Sequence, residues 1–239
     1  MTIEGLHIQT AGDTLEVVVD RGDENSFSGS MMDALCDAID QASPSETMRF
    51  VHIRAEGPNF CVARDREGRA PDELRAEAIR IVRVNEACRT TPLTVVAEVQ
   101  GPAAAFGAGL VASTDLAVAS DNVTLSFPEI LAGLAPTVVI GWLGFTLPAK
   151  AAFEMVATGR KMSAAEAQRW GLLTDVVSAD ELGMRTKERL EELRGMSAAG
   201  LREIKRFSAQ VRGLDPAAAA RASVDPLVLA ALRMRAAMA

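Results

Sequence analysis

The sequence predicts an α/β protein, with an α/β core over residues 1–180 and a helical region over residues 181–239. Short runs rich in Val and Ile alternate with amphipathic helical patterns up to about residue 180, which is typical of a sheet whose strands are joined by crossover helices. Beyond that point the pattern is helical. No linker rich in Pro, Gly or Ser separates the two parts, so we expect the helical region to pack on the core or on a neighbouring subunit.

Strands are predicted where β-branched residues cluster between turn signals. These runs cover residues 14–20, 49–55, 93–99, 115–120, 123–127 and 174–178. Helices are predicted where apolar residues recur with the helical period. These patterns begin near residue 31, span residues 70–92, start within residues 99–115, and recur over residues 163–171, 181–196 and 197–213.

Two helix starts carry recognisable capping signals. Pro71, followed by two acidic residues, suits a first helical turn. Ser163 and Glu166 have the spacing of a capping box, and Gly171 suits the C-terminal end of that helix.

Composition and charge argue against several classes of partner. The formal net charge of −7 argues against nucleic acid, whose binding proteins normally show a basic footprint. The N-terminal residues do not combine a basic start with an apolar stretch, so we expect no secretion. No apolar run approaches the ~18 residues of a membrane span, so we expect no membrane partner. The longest candidate, residues 130–147, contains three glycines and a proline, and we expect it to be a buried core segment.

The cysteines and histidines indicate a reducing compartment and provide few potential metal ligands. Cys36, Cys61 and Cys88 form a sparse, odd set without a CxxC motif, which favours free thiols in a cytoplasmic protein. The two histidines, His7 and His52, cannot supply a His-based metal site, and His52 lies in a predicted strand. We therefore expect no bound metal.

Two segments could present backbone N–H groups to a ligand. Residues 58–65, PNFCVARD, follow a strand and lead towards a helix, and they are otherwise an ordinary turn. Residues 99–115, VQGPAAAFGAGLVASTD, end a strand and open a helix through very small residues. Donors at a helix N-terminus can stabilise a developing oxyanion. The alternative for this second segment is close packing of a helix on a strand.

A third segment, FPEILAGLAP, supplies one candidate for acid–base chemistry. Glu129 follows Pro128 among apolar residues. Desolvation raises the pKa of a carboxyl in such surroundings, which suits a general acid or base working near neutral pH. The alternative is a solvated loop carboxylate.

In order and spacing, these segments resemble the crotonase (enoyl-CoA hydratase/isomerase) family. Residues 60–65 are similar to the first oxyanion motif of the family, F-C/S-A-G-x-D, and residues 100–107 to the second, N-G-x-A-x-G-G-G. SFPEILAGLAP is similar to G-x-P-E-x-x-x-G-x-x-P. Residues 157–182 and the N-terminal stretch DRGDENSFS also match family patterns. The resemblance covers roughly residues 14–210.

The resemblance implies a spiral of β-β-α units with a helical C-terminal region, assembled as a homotrimer or a dimer of trimers. It implies an acyl-CoA substrate whose thioester oxygen is held by the Val62 and Phe106 amides, with Glu129 as the acid/base. Substrate-binding residues are implied at Val62, Ala63, Arg64, Asp65, Phe106 and Pro136. No metal or redox cofactor is implied, because CoA is part of the substrate.

The chain departs from the family pattern at Ala63, at Ala105 and in the segment after Pro136. The family's hydratases commonly carry a second glutamate, at a position that Gly109 occupies here. We therefore expect a double-bond isomerase that uses Glu129 alone. The alternatives are a one-glutamate hydratase, a divergent enzyme such as a decarboxylase or a biosynthetic enzyme, and a non-catalytic acyl-CoA-binding or assembly subunit.

Cationic side chains could bind the phosphates of the CoA nucleotide, since guanidinium groups pair well with phosphate. Arg64 and Arg66 are the first candidates, and Lys205 and Arg206 are weaker ones that also suit a solvated helix face. Cys61 lies beside a proposed oxyanion residue, but without a nearby histidine we interpret it as a small packing residue.

Overall fold

A computed structural model describes residues 2–236. The strands are β1 (Thr2–Ile3), β2 (Leu6–Ala11), β3 (Thr14–Val19), β4 (Phe50–Ala55), β5 (Thr94–Val99), β6 (Ala103–Ala104), β7 (Leu116–Ser120), β8 (Thr124–Ser126), β9 (Met162–Ser163) and β10 (Asp175–Val177). A seven-stranded sheet has the order β1-β2-β3-β4-β5-β7-β10, and β6, β8 and β9 form a small second sheet. The predicted α/β class is confirmed.

Five of the six strands that the sequence predicts form the parallel part of the main sheet, and the sixth, residues 123–127, corresponds to β8 of the small sheet. From β3 to β10 each neighbouring pair is parallel. Strands buried on both faces read as continuous apolar runs, which makes them easy to recognise. The antiparallel β1 and β2 are absent from the prediction. In β2 only Leu6 and Ile8 are buried, so this strand alternates instead of forming an apolar run.

The helices surround the sheet. They are α1 (Gly29–Ala42), α2 (Pro71–Thr90), α3 (Phe106–Ser113), α4 (Thr137–Leu143), α5 (Ala149–Thr158), α6 (Ala164–Trp170), α7 (Leu182–Arg194), α8 (Ala198–Gln210), α9 (Pro216–Ala222) and α10 (Val224–Ala236). The predicted helices are confirmed, with Pro71 in the first turn of α2. The sequence pattern does not predict α4 or α5, and two glycines, Gly141 and Gly144, interrupt the apolar pattern in and directly after α4.

The predicted capping box at the start of α6 is only half formed. The Ser163 hydroxyl accepts a hydrogen bond from the Glu166 amide at 3.3 Å, as predicted. The Glu166 carboxylate does not return to the cap, because it binds the Arg160 guanidinium at 2.5 Å and 2.8 Å. An arginine within reach therefore outcompetes the backbone N–H of the cap.

The apolar segment 130–147 is only in part the buried core segment that we expect from its composition, since Val139, Leu143 and Leu147 are buried in the core but other apolar residues are not. Leu131, Leu134 and Phe145 are 74%, 49% and 58% exposed. The segment instead carries α4 and one wall of the cavity described below. Within residues 2–236, no helix is both long and apolar enough to cross a membrane.

Two of the helices after Val177, α7 and α8, pack directly on the sheet. On α8, the residue Lys205 is only 9% exposed. Its ammonium group donates to the Cys88 and Leu93 carbonyls at 2.8 Å and 2.6 Å. It also pairs with the Asp115 carboxylate at 2.6 Å. The division into regions 1–180 and 181–239 stays a prediction about folding units, since α8 is joined to the core by these buried contacts.

We predict that Lys205→Met lowers the free energy of unfolding by about 2 kcal/mol, because it leaves the Asp115 carboxylate without its positive partner and the Cys88 and Leu93 carbonyls without the ammonium donor. Urea denaturation measures the change. Arg206→Met is the matched control on the same helix, since its exposed pair with Glu203 contributes within about 0.5 kcal/mol. Equal losses in both variants would contradict the buried tether.

Candidate active site

The site begins where two backbone segments approach each other closely. The Phe60 amide donates to the Pro102 carbonyl at 3.1 Å, and the Ala104 amide donates to the Cys61 carbonyl at 2.9 Å. A Cβ atom on Gly107 would lie 2.0 Å from the Cys61 oxygen, which no side chain can occupy. The missing side chain therefore brings the N-terminus of α3 against the 58–65 segment.

A cavity of about 640 Å³ opens beside this contact. Its wall is mostly apolar and comes from α2, α3, α4 and the 62–66 and 128–136 segments. Of the predicted site residues, the structure brings together Val62, Ala63, Arg64, Phe106, Glu129 and Pro136. Arg66, a candidate for phosphate binding, lies in the same wall.

Asp65 is the one predicted substrate-binding residue that does not line the cavity among the described residues. Its carboxylate accepts two hydrogen bonds from the Arg21 guanidinium, at 2.8 Å and 2.9 Å. Its amide donates to the Phe27 carbonyl at 2.9 Å. In the structure Asp65 therefore attaches the 58–65 segment to the N-terminal loop, and a role in substrate binding stays a prediction.

The two predicted backbone donors differ in their surroundings. The Val62 amide donates to the Glu24 carbonyl at 3.0 Å, because the 61–65 segment pairs with the loop that precedes α1. The Phe106 amide, at the first position of α3, has no acceptor within residues 2–236. Of the predicted pair, Phe106 is therefore the residue whose amide is free in the cavity wall, and the role of Val62 stays a prediction.

Ala105 adopts a backbone conformation that favours glycine. Its φ and ψ are 53° and −119°, immediately before α3. Such a conformation costs a non-glycine residue about 1–3 kcal/mol. The Ala105 amide donates to the Ser126 carbonyl at 3.0 Å, which helps to hold the turn. The turn thus keeps its shape although alanine replaces the glycine of the family motif.

Phe106 contributes its ring as well as its amide. The ring is buried and packs against Phe27, with 4.9 Å between the ring centroids. Cys61 is also buried, which raises the pKa of its thiol to about 12. Cys61 therefore remains a neutral thiol that donates to the Ala63 carbonyl at 3.2 Å, in agreement with a packing role.

Glu129 lies on a short 3₁₀ turn, Pro128–Ala132, directly after the fully buried Phe127. Its Oε2 atom is buried and has no hydrogen-bond partner among the described residues. Burial raises the pKa of this carboxyl, and the positive charges of Arg66 and Arg64 partly oppose the increase. The site therefore contains a desolvated carboxyl able to exchange a proton.

The cationic candidates differ in their availability. Arg64 pairs with Glu77 at 2.8 Å, and the pKa of Glu77 falls to about 2 because the Gly68 amide and Arg64 both donate to it. Arg66 has no ion pair within the described residues. Of the weaker candidates, Lys205 is enclosed in the core and Arg206 pairs with Glu203 at 2.6 Å.

Trp142 and Asn85 are two of the lining residues that were not among the predicted site residues. A Cβ atom on Gly109 would lie 3.8 Å from Cζ2 of Trp142, so an indole lies beside the position where family hydratases commonly carry a glutamate. Asn85 donates from its amide nitrogen to the Ser113 hydroxyl at 2.7 Å. Asn85 is a single polar residue in the apolar stripe of α2, a signal that the sequence does contain.

The cavity combines a buried carboxyl with a free amide in apolar surroundings, an arrangement that acid–base enzymes use to stabilise an oxyanion. The sequence matches the family model described as enoyl-CoA hydratase/isomerase over residues 13–225. The chain therefore belongs to the enoyl-CoA hydratase/isomerase family.

Known relatives and structures extend this assignment. Enoyl-CoA hydratase domain-containing protein 3 of Rattus norvegicus is 36% identical over 162 residues, which are 66% of this chain and 54% of that protein, so the chain spans little more than half of that relative. Carnitinyl-CoA dehydratase of Salmonella typhi is 30% identical over 222 residues, 87% of this chain and 82% of that protein.

Enoyl-CoA hydratase of Mycobacterium smegmatis superposes with a TM-score of 0.89 and 26% identity, covering 94% of this chain and 90% of that chain. This likeness confirms the predicted crotonase-like spiral of β-β-α units with C-terminal helices.

We predict opposite effects of a methyl group at two glycines of α3. Gly107→Ala should lower the free energy of unfolding by about 3 kcal/mol or more, because the added atom meets a backbone carbonyl. Gly109→Ala is the matched control, because its added methyl group meets Trp142 at an ordinary contact distance of 3.8 Å. It should raise the free energy of unfolding by up to about 1 kcal/mol through helix propensity. Thermal or urea unfolding measures both, and tolerance of Gly107→Ala would refute the close approach.

We also predict that Ala105→Gly raises the free energy of unfolding by about 1 kcal/mol, because glycine adopts this backbone conformation without strain. Ala104→Gly is the control, since Ala104 has an ordinary strand conformation. This variant should have a free energy of unfolding lower by about 0.5–1 kcal/mol. Urea titration of both variants gives the comparison. A loss at Ala105 as large as the loss at Ala104 would show that the turn is unstrained.

Proposed function

We propose that the protein isomerises an enoyl-CoA, moving the double bond from C3–C4 to C2–C3 of the acyl chain, with Glu129 as the single acid/base. One observation carries the proposal: Glu129 is the one carboxylate among the described residues that line the cavity. Gly109 supplies no second acid. An allylic shift needs one base and one group of donors that stabilises the enolate.

In this mechanism the ionised Glu129 removes a proton from C2. Negative charge then develops on the thioester oxygen, where the free Phe106 amide at the N-terminus of α3 stabilises it. The protonated Glu129 returns the same proton to C4, the double bond forms between C2 and C3, and the carboxylate is regenerated. The apolar wall excludes water, which would otherwise compete for the proton.

Arg66 is the cation that supports binding of the CoA nucleotide. It is exposed, lines the cavity and has no ion pair among the described residues, whereas Arg64 is already paired with Glu77. A free guanidinium at this position can bind a phosphate without breaking an internal ion pair.

Hydration or dehydration of an enoyl-CoA is the second candidate. It is supported by the names of the relatives, one a carnitinyl-CoA dehydratase and the other a hydratase domain-containing protein. Glu129 would then have to orient water and exchange the proton without a second glutamate at Gly109. The same cavity would also serve a decarboxylase or a binding subunit without turnover.

Cofactor use, oligomeric state and cellular location belong to the same proposal. The reaction uses no cofactor, because CoA is part of the substrate. We propose a homotrimer or a dimer of trimers, supported by apolar side chains exposed on α10, such as Leu227 and Leu232. A cytoplasmic location is supported by the three free thiols.

One absorbance assay separates the candidate reactions. Conjugation of the double bond with the thioester should raise the ultraviolet absorbance when a 3-enoyl-CoA is supplied, whereas hydration of a 2-enoyl-CoA should lower it. We predict a rise with the 3-enoyl-CoA and little change with the 2-enoyl-CoA. A fall with the 2-enoyl-CoA alone would favour the hydratase, and binding without either change would favour a non-catalytic protein.

Glu129→Gln should abolish the isomerisation, by about 100-fold or more, because the amide cannot accept the proton. Glu67→Gln, in the adjacent exposed loop, is the control and should retain activity. In the wild type, turnover should fall as pH drops through a value above the ordinary pKa of 4.5, since burial raises the pKa of Glu129.

The raised pKa of Glu129 also predicts how this residue affects the stability of the folded protein. The neutral form of Glu129 is favoured in the folded protein, so its contribution to stability is present at low pH and is lost as pH rises through the folded-state pKa. Glu129→Gln should therefore be at least as stable as the wild type at pH 7. Full activity in a folded Glu129→Gln protein would refute the assignment.

A further inference from the structure

One carboxylate of α2 holds the loop that carries Arg66. Glu77 lies in the second turn of α2. Its Oε1 atom accepts hydrogen bonds from the Glu67 and Gly68 amides at 2.8 Å and 2.6 Å. Its Oε2 atom accepts a hydrogen bond from the Arg64 guanidinium at 2.8 Å. The Glu77 side chain therefore attaches residues on both sides of Arg66 to the helix.

This group of contacts is enclosed and charged. The side chains of Glu77 and Arg64 are only 12% and 18% exposed. The Gly68 amide and the Arg64 guanidinium hold the pKa of Glu77 at about 2, because hydrogen bonds to a carboxylate favour its ionised form. Glu77 is therefore ionised at neutral pH, and its charge-assisted hydrogen bonds are stronger than neutral ones.

The loop packs closely against α2 at Gly68. A Cβ atom on Gly68 would lie 3.0 Å from the Glu73 carbonyl carbon and 3.1 Å from the Glu77 carboxylate. Glu73 accepts only from the Arg69 and Ala70 amides, which directly precede the helix, and this is an ordinary helix cap. Glu77 is thus the residue that reaches beyond the cap and restrains the preceding segment.

The chain on the other side of Arg66 is also fixed. The Asp65 amide donates to the Phe27 carbonyl at 2.9 Å, and the Asp65 carboxylate binds Arg21. Arg66 itself is exposed, lines the cavity and has no ion pair in the part of the chain that the structure describes. Its backbone is therefore held from both sides, while its guanidinium is free to bind a ligand.

We propose that Glu77 is a positioning residue for CoA binding, which keeps the loop ordered so that the Arg66 guanidinium is already in place for a phosphate of the nucleotide. The inference rests on the proposed function, which assigns Arg66 to that nucleotide. A loop that is ordered before binding loses less conformational entropy when the ligand binds, and this raises the affinity.

A purely electrostatic role of Glu77 predicts the opposite effect. Removal of its carboxylate releases the Arg64 guanidinium, and a second free cation should strengthen the binding of phosphate. A single exposed ion pair contributes little, whereas the ordering of several loop residues costs much more. We therefore expect the loss of Glu77 to weaken CoA binding.

Calorimetry with CoA measures the sign and size of the effect. Glu77→Ala should bind CoA about 10-fold more weakly than the wild type, because the released loop must be ordered on binding. Glu77→Gln keeps an oxygen for the two loop amides but presents its NH₂ group to Arg64, so its affinity should lie between the two. Glu86→Ala removes the same charge from an exposed position of α2 and should bind CoA as the wild type does.

A double-mutant cycle tests whether Glu77 acts through Arg66. Arg66→Gln should weaken CoA binding in the wild type, but by a factor about 3-fold smaller in the Glu77→Ala background, where the guanidinium is no longer held in place. In turnover, the loss in Glu77→Ala should appear in KM for a 3-enoyl-CoA and not in kcat. The KM for a 3-enoyl-pantetheine, which lacks the nucleotide, should not change.

Unchanged or tighter CoA binding by a folded Glu77→Ala protein would overturn this inference alone. Independent effects of the two substitutions in the cycle would do the same. Because the calorimetry uses CoA without an acyl group, its result does not depend on which reaction the enzyme performs. If the wild type does not bind CoA, the acyl-CoA substrate of the proposed function fails as well.

Discussion

The close approach of Gly107 to the Cys61 carbonyl is the constraint on which the site depends. It sets the N-terminus of α3 against the 58–65 segment and leaves the Phe106 amide facing the cavity. The preceding residue, Ala105, is held to β8 through the Ser126 carbonyl. Glu129 follows β8 after only two residues. One backbone contact, with no side chain in between, thus positions both the Phe106 amide and the Glu129 carboxyl, the proposed oxyanion donor and the proposed acid/base.

Charges around the cavity are arranged so that the reacting carboxyl stays unpaired. Neighbouring charges are neutralised within the protein, Asp65 by Arg21 and Arg64 by Glu77. Glu129 has no ion pair among the described residues and is affected mainly by its desolvation. Because desolvation costs free energy, a turn held by Pro128 and the buried Phe127 is needed to keep the carboxyl in the wall.

The sequence was informative where contacts are local or strands are buried on both faces. It predicts the parallel strands, α2, and the position of Glu129, because period and composition determine these directly. It does not predict that Glu24 occupies the Val62 amide, which depends on two segments meeting in space. Trp142 was missed for the same reason, since its partner Gly109 lies 33 residues earlier in the chain.

The buried ammonium of Lys205 has a consequence for biosynthesis. It joins the carbonyls at the end of α2 and the start of β5 to the carboxylate before β7. All three acceptors precede Lys205 in the chain, so they leave the ribosome well before residue 205 does. Until then the Asp115 carboxylate must remain hydrated, so this edge of the sheet closes only after α8 has been synthesised. Completion of this part of the core in this way depends on the synthesis of α8.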